Sequence, residues 1–235
     1  LNGSERFSCK AKSSTFRFRL LNEEVSFVPE VQTLLDLCCG LGGWSIGFYR
    51  AGFDCTGVDI LDVGYPYKLV KMDLKDYHPN GPFDVVTASP PCTEFSTLTR
   101  LAVSRGQRKP ADPSKGLELV KESIRIIREV NPTFWILENV YGSLQHIEPL
   151  LGPPAIIIKP WYLWGKLPQF LFPHSNFPSK TDFPVGSIRV KAHDALNSVF
   201  AFNILRSFFR AKIPLPLSIP VAEACKKALS EGACS

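Results

Sequence analysis

Residues 33–51, TLLDLCCGLGGWSIGFYRA, set a short apolar run, a glycine-rich turn and a helically spaced segment end to end. The run Thr33–Cys39 is bounded by turn signals and is consistent with a buried strand. Gly40, Gly42 and Gly43 follow. Glycines between a strand and a helix let backbone amides approach a ligand, in dihedrals that a β-carbon would block. Trp44–Gly52 then shows helical spacing with a glycine stop. Such a strand, turn and helix open an α/β sheet, whose ligands lie at the carboxyl ends of the strands.

Working outward, DCTGVDI (54–60) reads as a second strand that ends in an acid. Asp59 stands 23 residues after Asp36, where a nucleotide-binding α/β fold suits a carboxylate gripping ribose hydroxyls. The loop G-x-G-G is not the dinucleotide pattern, because Gly43 directly follows Gly42 and position 45 is serine. It also lacks the lysine of a P-loop. A short glycine loop plus that acid fits S-adenosylmethionine at least as well as NAD; a turn packed for structural reasons is the alternative.

The alternation continues with strands in PYKLVKMDL (66–74) and FDVVTASPP (83–91), a helix in GLELVKESIRIIREV (116–130) and a strand in TFWILENV (133–140). This argues for an α/β domain with a mainly parallel sheet over 31–140. STFRFRL and EVSFV, within 1–30, suit an N-terminal arm or hairpin. Residues 141–212 are expected to be a reduced, irregular recognition segment, with its proline- and aromatic-rich part mostly turns and edge strands. PLSIPVAEACKKAL, within 213–235, supplies a last helix with Pro220 near its start.

Composition bounds the partners. The 235 residues are 45% hydrophobic and 21% charged, an ordinary globular balance with no apolar stretch long enough for a membrane span. The N-terminus lacks the apolar centre of a secretory signal, and with Met72 as the single methionine, further residues are expected before Leu1. Seven cysteines form no C-x-x-C pair and the four histidines show no ligand spacing, so no metal is expected. An odd count scattered through core-like strands suits the reducing cytoplasm, the host's if the source is viral. The net charge of +5 is compatible with a polyanionic partner. Two basic sets carry it: Arg100, Arg105, Arg108, Lys109 and Lys115, then Arg189, Lys191, Arg206, Arg210 and Lys212. Two solvated surfaces are the plainer reading of both. Oligomeric state is not legible.

The chemistry concentrates in SPPCTEFS (89–96) and WILENV (135–140). Two prolines stiffen the chain where it leaves a strand, which presents Cys92 to the cleft at the sheet's carboxyl edge. WILENV ends by delivering Glu138 and Asn139 to the same edge. A thiolate with a carboxylic acid is a sensible pair for attacking an electron-poor ring, the acid sharing a proton with a ring nitrogen as sulfur adds to carbon. Taken singly, Cys92 reads as a small hydrophobe and Glu138 as a surface ion-pair partner.

Together, DLCCGLGG, SPPCTEFS and ENV resemble, in order and spacing, the core motifs of the DNA (cytosine-5) methyltransferases over Leu34–Val140. The final IPLPLSIPVAEAC resembles the family's last motif. The resemblance implies a Rossmann-like, S-adenosylmethionine-dependent methyltransferase fold and a compact member of phage or virus type. It implies that Cys92 adds to C6 of a cytosine flipped out of double-stranded DNA, that Glu138 contacts N3 and the exocyclic amine, and that Asn139 holds the Cys92 loop. Gly40, Leu41 and Gly43 would line the methionine side of the cofactor pocket, with Cys38 and Cys39 at the strand exit, and Asp36, Leu37 and Leu74 are counted among the cofactor-binding residues. Asp59 would hold the ribose, Ile60 would pack on adenine, Asp73 would meet its amino group, and Pro91 would floor the base pocket. The chain departs from the family at Thr93, where glutamine is usual, and in having no clean Q-x-R-x-R motif; Arg189 in SIRVK is the nearest candidate. An RNA cytosine-5 methyltransferase and a catalytically silent nucleic-acid-binding module are the rival readings.

Overall fold

The computed structural model describes residues 16–20, 23–27, 31–95, 111–168 and 213–232. The chain divides into two units, Leu1–Val31 and Gln32–Ser235. In the first, β1 (Phe16–Leu20) and β2 (Glu23–Phe27) pair antiparallel, Phe16 opposite Phe27.

The second unit is built on a seven-stranded sheet. Its strands are β3 (Thr33–Leu37), β4 (Asp54–Asp59), β5 (Lys68–Lys71), β6 (Val85–Ala88), β7 (Phe134–Val140), β8 (Ile156–Ile158) and β9 (Trp161–Lys166). They lie in the order β5-β4-β3-β6-β7-β9-β8. The first five are mutually parallel, whereas β9 runs antiparallel to both β7 and β8. The order reverses between β3 and β6, which makes the crevice above their carboxyl ends the expected ligand site.

Four helices are described: α1 (Gly43–Arg50), α2 (Pro113–Val130), α3 (Leu144–Leu151) and α4 (Leu215–Gly232). Alternating strand residues sort the core into two layers. Leu35, Leu37, Val86, Ala88 and Leu137 pack with Val120, Ile126 and Ile127 of α2 and Ile147 of α3. Leu34, Val85, Ile136 and Leu163 pack with Trp44 and Phe48 of α1 and Leu217, Val221 and Cys225 of α4. Full burial of each such aliphatic side chain is worth about 1.5–3 kcal/mol.

Helix α2 begins three residues before the apolar spacing suggests, because Asp112 accepts the Ser114 N–H as N-cap and Pro113 takes the first turn, where no amide partner is needed. Asn131, left-handed at φ 49°, ends it ahead of Pro132. Helix α4 lies directly on α1. A β-carbon at Gly47 would come within 2.5 Å of Ser218 Oγ, and one at Gly43 within 2.5 Å of the Ile213 backbone nitrogen. Glycine at these two positions therefore lets the C-terminal segment approach backbone to backbone beside the glycine loop.

One expectation needs correction. The proline-rich stretch reads as turns and edge strands, but β9 is an inner strand between β7 and β8, and Trp161, Tyr162, Leu163 and Trp164 are all buried. Its density of large apolar residues is that of a strand covered on both faces, and Pro160 and Pro168 lie outside it. Helix α3 was equally unannounced, being short and carrying Pro149. Among the described residues no helix is long and apolar enough to cross a membrane.

Candidate functional site

The glycine loop leaves β3 through three left-handed residues, Cys38 at φ 53°, Gly40 at 49° and Gly42 at 72°. Two are glycines and carry no penalty for it; Cys38 is the strained one. Asp59, at the end of β4, accepts the Gly40 N–H at 2.9 Å through one carboxylate oxygen and the Leu61 N–H at 3.0 Å through the other. The acid and the glycine loop, 19 residues apart, thus form one structure.

Below the loop lies a buried polar network. Asp36 accepts the Ser45 hydroxyl at 2.6 Å and the Thr87 hydroxyl at 2.9 Å. Ser45 Oγ in turn sits 2.7 Å from the Tyr65 hydroxyl. Burial pushes the Asp36 carboxyl up to about 7; the Ser45 and Thr87 hydrogen bonds oppose the shift and the Asp59 charge adds to it. Burial likewise pushes the Cys38, Cys39 and Cys55 thiols above the ordinary thiol range, so they are poor nucleophiles.

The expected cofactor residues separate into two groups. Asp36, Leu37 and Leu74 turn their side chains into the interior, at 1%, 0% and 3% exposure, and support the loop from beneath. Cys39, Gly40 and Gly43 are also buried, with the Cys39 sulfur lying 2.6 Å from where a Gly57 β-carbon would be. Cys38, Leu41, Asp59 and Asp73 are half-buried, while Pro91 and Ile60 are exposed, Ile60 at 58%. An exposed isoleucine next to a strand-end carboxylate suits a flat apolar ring above a pair of hydroxyls, so these residues fit a nucleoside. Asp73 accepts the Lys75 N–H at 3.0 Å.

The Cys92 turn leaves the adjacent strand. Ser89 continues β6 by donating its N–H to the Leu37 carbonyl at 3.1 Å, and its Oγ accepts the Trp44 indole N–H at 3.1 Å. That second bond ties the start of α1, just after the glycines, to the SPPC stretch. Ala88 registers with Leu137, so Ser89 and Glu138 come next along the same edge. Asn139 donates from Nδ2 to the Pro90 carbonyl at 3.1 Å, two residues before Cys92, and accepts the Val140 N–H at 2.9 Å. Glu138 is 7% exposed, Asn139 is buried, and Cys92 is half-buried.

The structure therefore brings the glycine loop, Asp59, the Cys92 turn and the Glu138–Asn139 tip to one carboxyl edge around the β3/β6 reversal. The basic positions Arg100, Arg105, Arg108, Lys109, Arg189, Lys191, Arg206, Arg210 and Lys212 lie outside the described residues. Among the described residues no cluster of histidine, cysteine and acidic side chains could hold a metal ion. Ser45, Thr87, Tyr65 and the Trp44–Ser89 bridge escaped the sequence reading. A tryptophan directly after the glycines was the one available signal.

Residues 13–92 match a methyltransferase domain family, and residues 66–149 match the family described as C-5 cytosine-specific DNA methylase. The resemblance drawn from the motifs is borne out, and the fold is a Rossmann-like α/β type with a mainly parallel sheet. The chain is 38% identical over 96 residues to a probable DNA (cytosine-5)-methyltransferase of Frog virus 3, across 38% of this chain and 44% of that protein. It is 32% identical over 122 residues to type II methyltransferase M.FnuDI of Fusobacterium nucleatum, across 48% and 33%. It is 30% identical over 148 residues to M.AplI of Arthrospira platensis, across 56% and 40%. The chain thus spans less than half the length of these relatives.

Proposed function

We propose that this chain transfers a methyl group from S-adenosylmethionine to C5 of cytosine in DNA, with Cys92 as the transient nucleophile. The observation that carries the reading is the Asn139–Pro90 hydrogen bond. It holds the turn bearing Cys92 to the tip of the strand bearing Glu138, one strand away from the glycine loop. The Frog virus 3 relative and the family match over 66–149, which includes Cys92 and Glu138, support the same reading.

Gly40, Leu41 and the loop amides would hold the methionine end of the cofactor, Asp59 the ribose hydroxyls, and Ile60 with Asp73 the adenine. When bound, S-adenosylmethionine supplies an electrophilic methyl group. The residues of the chain do the rest. Cytosine C5 is a poor nucleophile, and addition of the Cys92 thiolate at C6 makes the ring enamine-like, so that electron density gathers at C5. Glu138 shares a proton with N3, where the negative charge would otherwise accumulate. Once C5 carries the methyl group and the donor has left as a neutral thioether, passing the C5 proton to water would expel the Cys92 sulfur as thiolate and restore the aromatic ring. A stacked base cannot reach such a crevice, so the target must be rotated out of the duplex, onto a floor formed by Pro91. Arg189 remains the candidate for gripping the cytosine carbonyl and phosphate, and 141–212 the candidate recognition segment.

The test is transfer of labelled methyl from S-adenosylmethionine to DNA by the wild type and by Cys92→Ser. Incorporation that disappears in the variant supports the reading. Incorporation into RNA alone, or cofactor binding without transfer to any nucleic acid, contradicts it.

A further inference from the structure

Behind Cys92 the chain makes a second set of contacts that the proposed reaction does not by itself require. The Phe95 N–H donates to the Cys92 carbonyl at 3.0 Å, so Cys92–Phe95 is a closed turn and the position of Phe95 sets that of Cys92. Phe95 is 6% exposed and lies against two glycines from different elements. A β-carbon at Gly142, just past the Glu138–Asn139 tip, would come within 1.9 Å of the Phe95 carbonyl oxygen. One at Gly116, in α2, would come within 2.6 Å of the Phe95 ring. The His146 ring of α3 covers another side, with centroids 5.4 Å apart.

Glu94 adds a polar link. Its Oε2 accepts the backbone N–H of Asp112, the N-cap of α2, at 2.7 Å. In a capping box that N–H is taken by a Glu or Gln three residues into the same helix. Position three here is Lys115, which has no acceptor to offer. The missing carboxylate comes instead from the Cys92 turn, where the positive end of the helix dipole also favours it.

We infer that Glu94 and Phe95 are positioning residues that clasp the Cys92 turn to α2 and to the segment after β7, and so set where the thiol stands. Asn139 holds the turn from the front through Pro90, and this clasp holds it from the rear. The inference rests on Cys92 being the nucleophile. It assigns to the SPPCTEFS stretch a second duty, which depends on an acid at position 94 and a lysine at position 115.

The experiment is the rate of covalent capture of wild type, Glu94→Ala, Glu94→Gln and Gly142→Ala by DNA carrying 5-fluorocytosine, with S-adenosylmethionine present. Cofactor affinity and exchange of the Asp112 amide are measured on the same proteins. A misplacement of the thiol on the order of 1 Å slows Glu94→Ala and Gly142→Ala by about 100-fold. Glu94→Gln keeps an acceptor oxygen and recovers most of the rate, and cofactor affinity stays within about twofold throughout because the contacts of Glu94 and Gly142 run to Asp112 and Phe95 rather than to the glycine loop. Capture by Glu94→Ala as fast as by wild type overturns the clasp and leaves the proposed reaction intact. Absence of capture by the wild type overturns the reaction instead, and the clasp is then judged by the Asp112 amide. Faster exchange in Glu94→Ala than in wild type supports it, and unchanged exchange overturns it. Should Gly142→Ala fail to fold, the two Glu94 variants decide alone.

Discussion

The loop after β3 and the turn after β6 leave neighbouring strands at the same edge of one sheet, yet they are held in different ways. The glycine loop is held from below by buried side chains, Asp36 with Ser45, Thr87 and Tyr65, and from one side by Asp59. The Cys92 turn is held by the Asn139 bond to its Pro90 carbonyl, by the Glu94 side chain accepting the Asp112 N–H, and by glycines that let other segments reach Phe95. At Gly40 the loop's own amide is taken up by the Asp59 carboxylate, and the remaining support comes from the buried side chains beneath. A turn that must present one side chain can be gripped by its carbonyls and amides. The two arrangements predict that the loops fail independently.

The largest expected effect separates them outright. Cys92→Ser abolishes methyl transfer and leaves S-adenosylmethionine affinity unchanged, as a labelled-transfer assay beside calorimetric binding would show. A variant that loses both functions would mean the two regions are not separately supported. Next comes pH. The folded-state value of Asp36 is raised above its ordinary 3.8 to about 7, so the folded protein holds that proton longer than the unfolded chain. Its contribution is complete below the unfolded value and is lost as pH rises through about 7, a change of up to about 4 kcal/mol. Urea unfolding from pH 4 to 8 should show this downward slope, and Asp36→Asn should flatten it while Cys92→Ser does not.

Asp59→Ala removes the acceptor for Gly40 and, on the proposed reading, for the ribose. Charged hydrogen bonds of about 1.5–3 kcal/mol make that a loss of about 10- to 100-fold in cofactor affinity. Alkylation of Cys92 by iodoacetamide should proceed at the wild-type rate in this variant, because the Cys92 turn is held elsewhere. The smallest effect lies outside both loops. Gly47→Ala gains about 1 kcal/mol of helix propensity but drives a methyl into Ser218, where overpacking costs about 1–3 kcal/mol. The clash is with backbone as well as hydroxyl, so the cost wins and the thermal midpoint falls. The double change Gly47→Ala with Ser218→Gly should restore part of it.

Legibility followed the same divide. The strands of the parallel sheet were readable because they are short apolar runs punctuated by glycine and proline, as in TLLDLCC before GLGG. Asp59 and the Glu138–Asn139 pair were readable because they end such runs. The partners of Asp36 were not readable, because only the folded chain brings Thr87, 51 residues on, to its second oxygen. The inner strand β9 was missed because Pro160 and Pro168 frame it and suggest an edge. Nothing in one dimension connects Phe95 with Gly116 and Gly142, since their role is the absence of a side chain where another segment passes.

The most direct test of the central claim is mass spectrometry of the protein after incubation with S-adenosylmethionine and DNA bearing 5-fluorocytosine, in which fluorine blocks the final elimination. The account predicts one stable protein–DNA adduct, mapped to the peptide containing Cys92. Methyl transfer to ordinary DNA without any adduct on the fluorinated strand, or an adduct on a different cysteine, would contradict it.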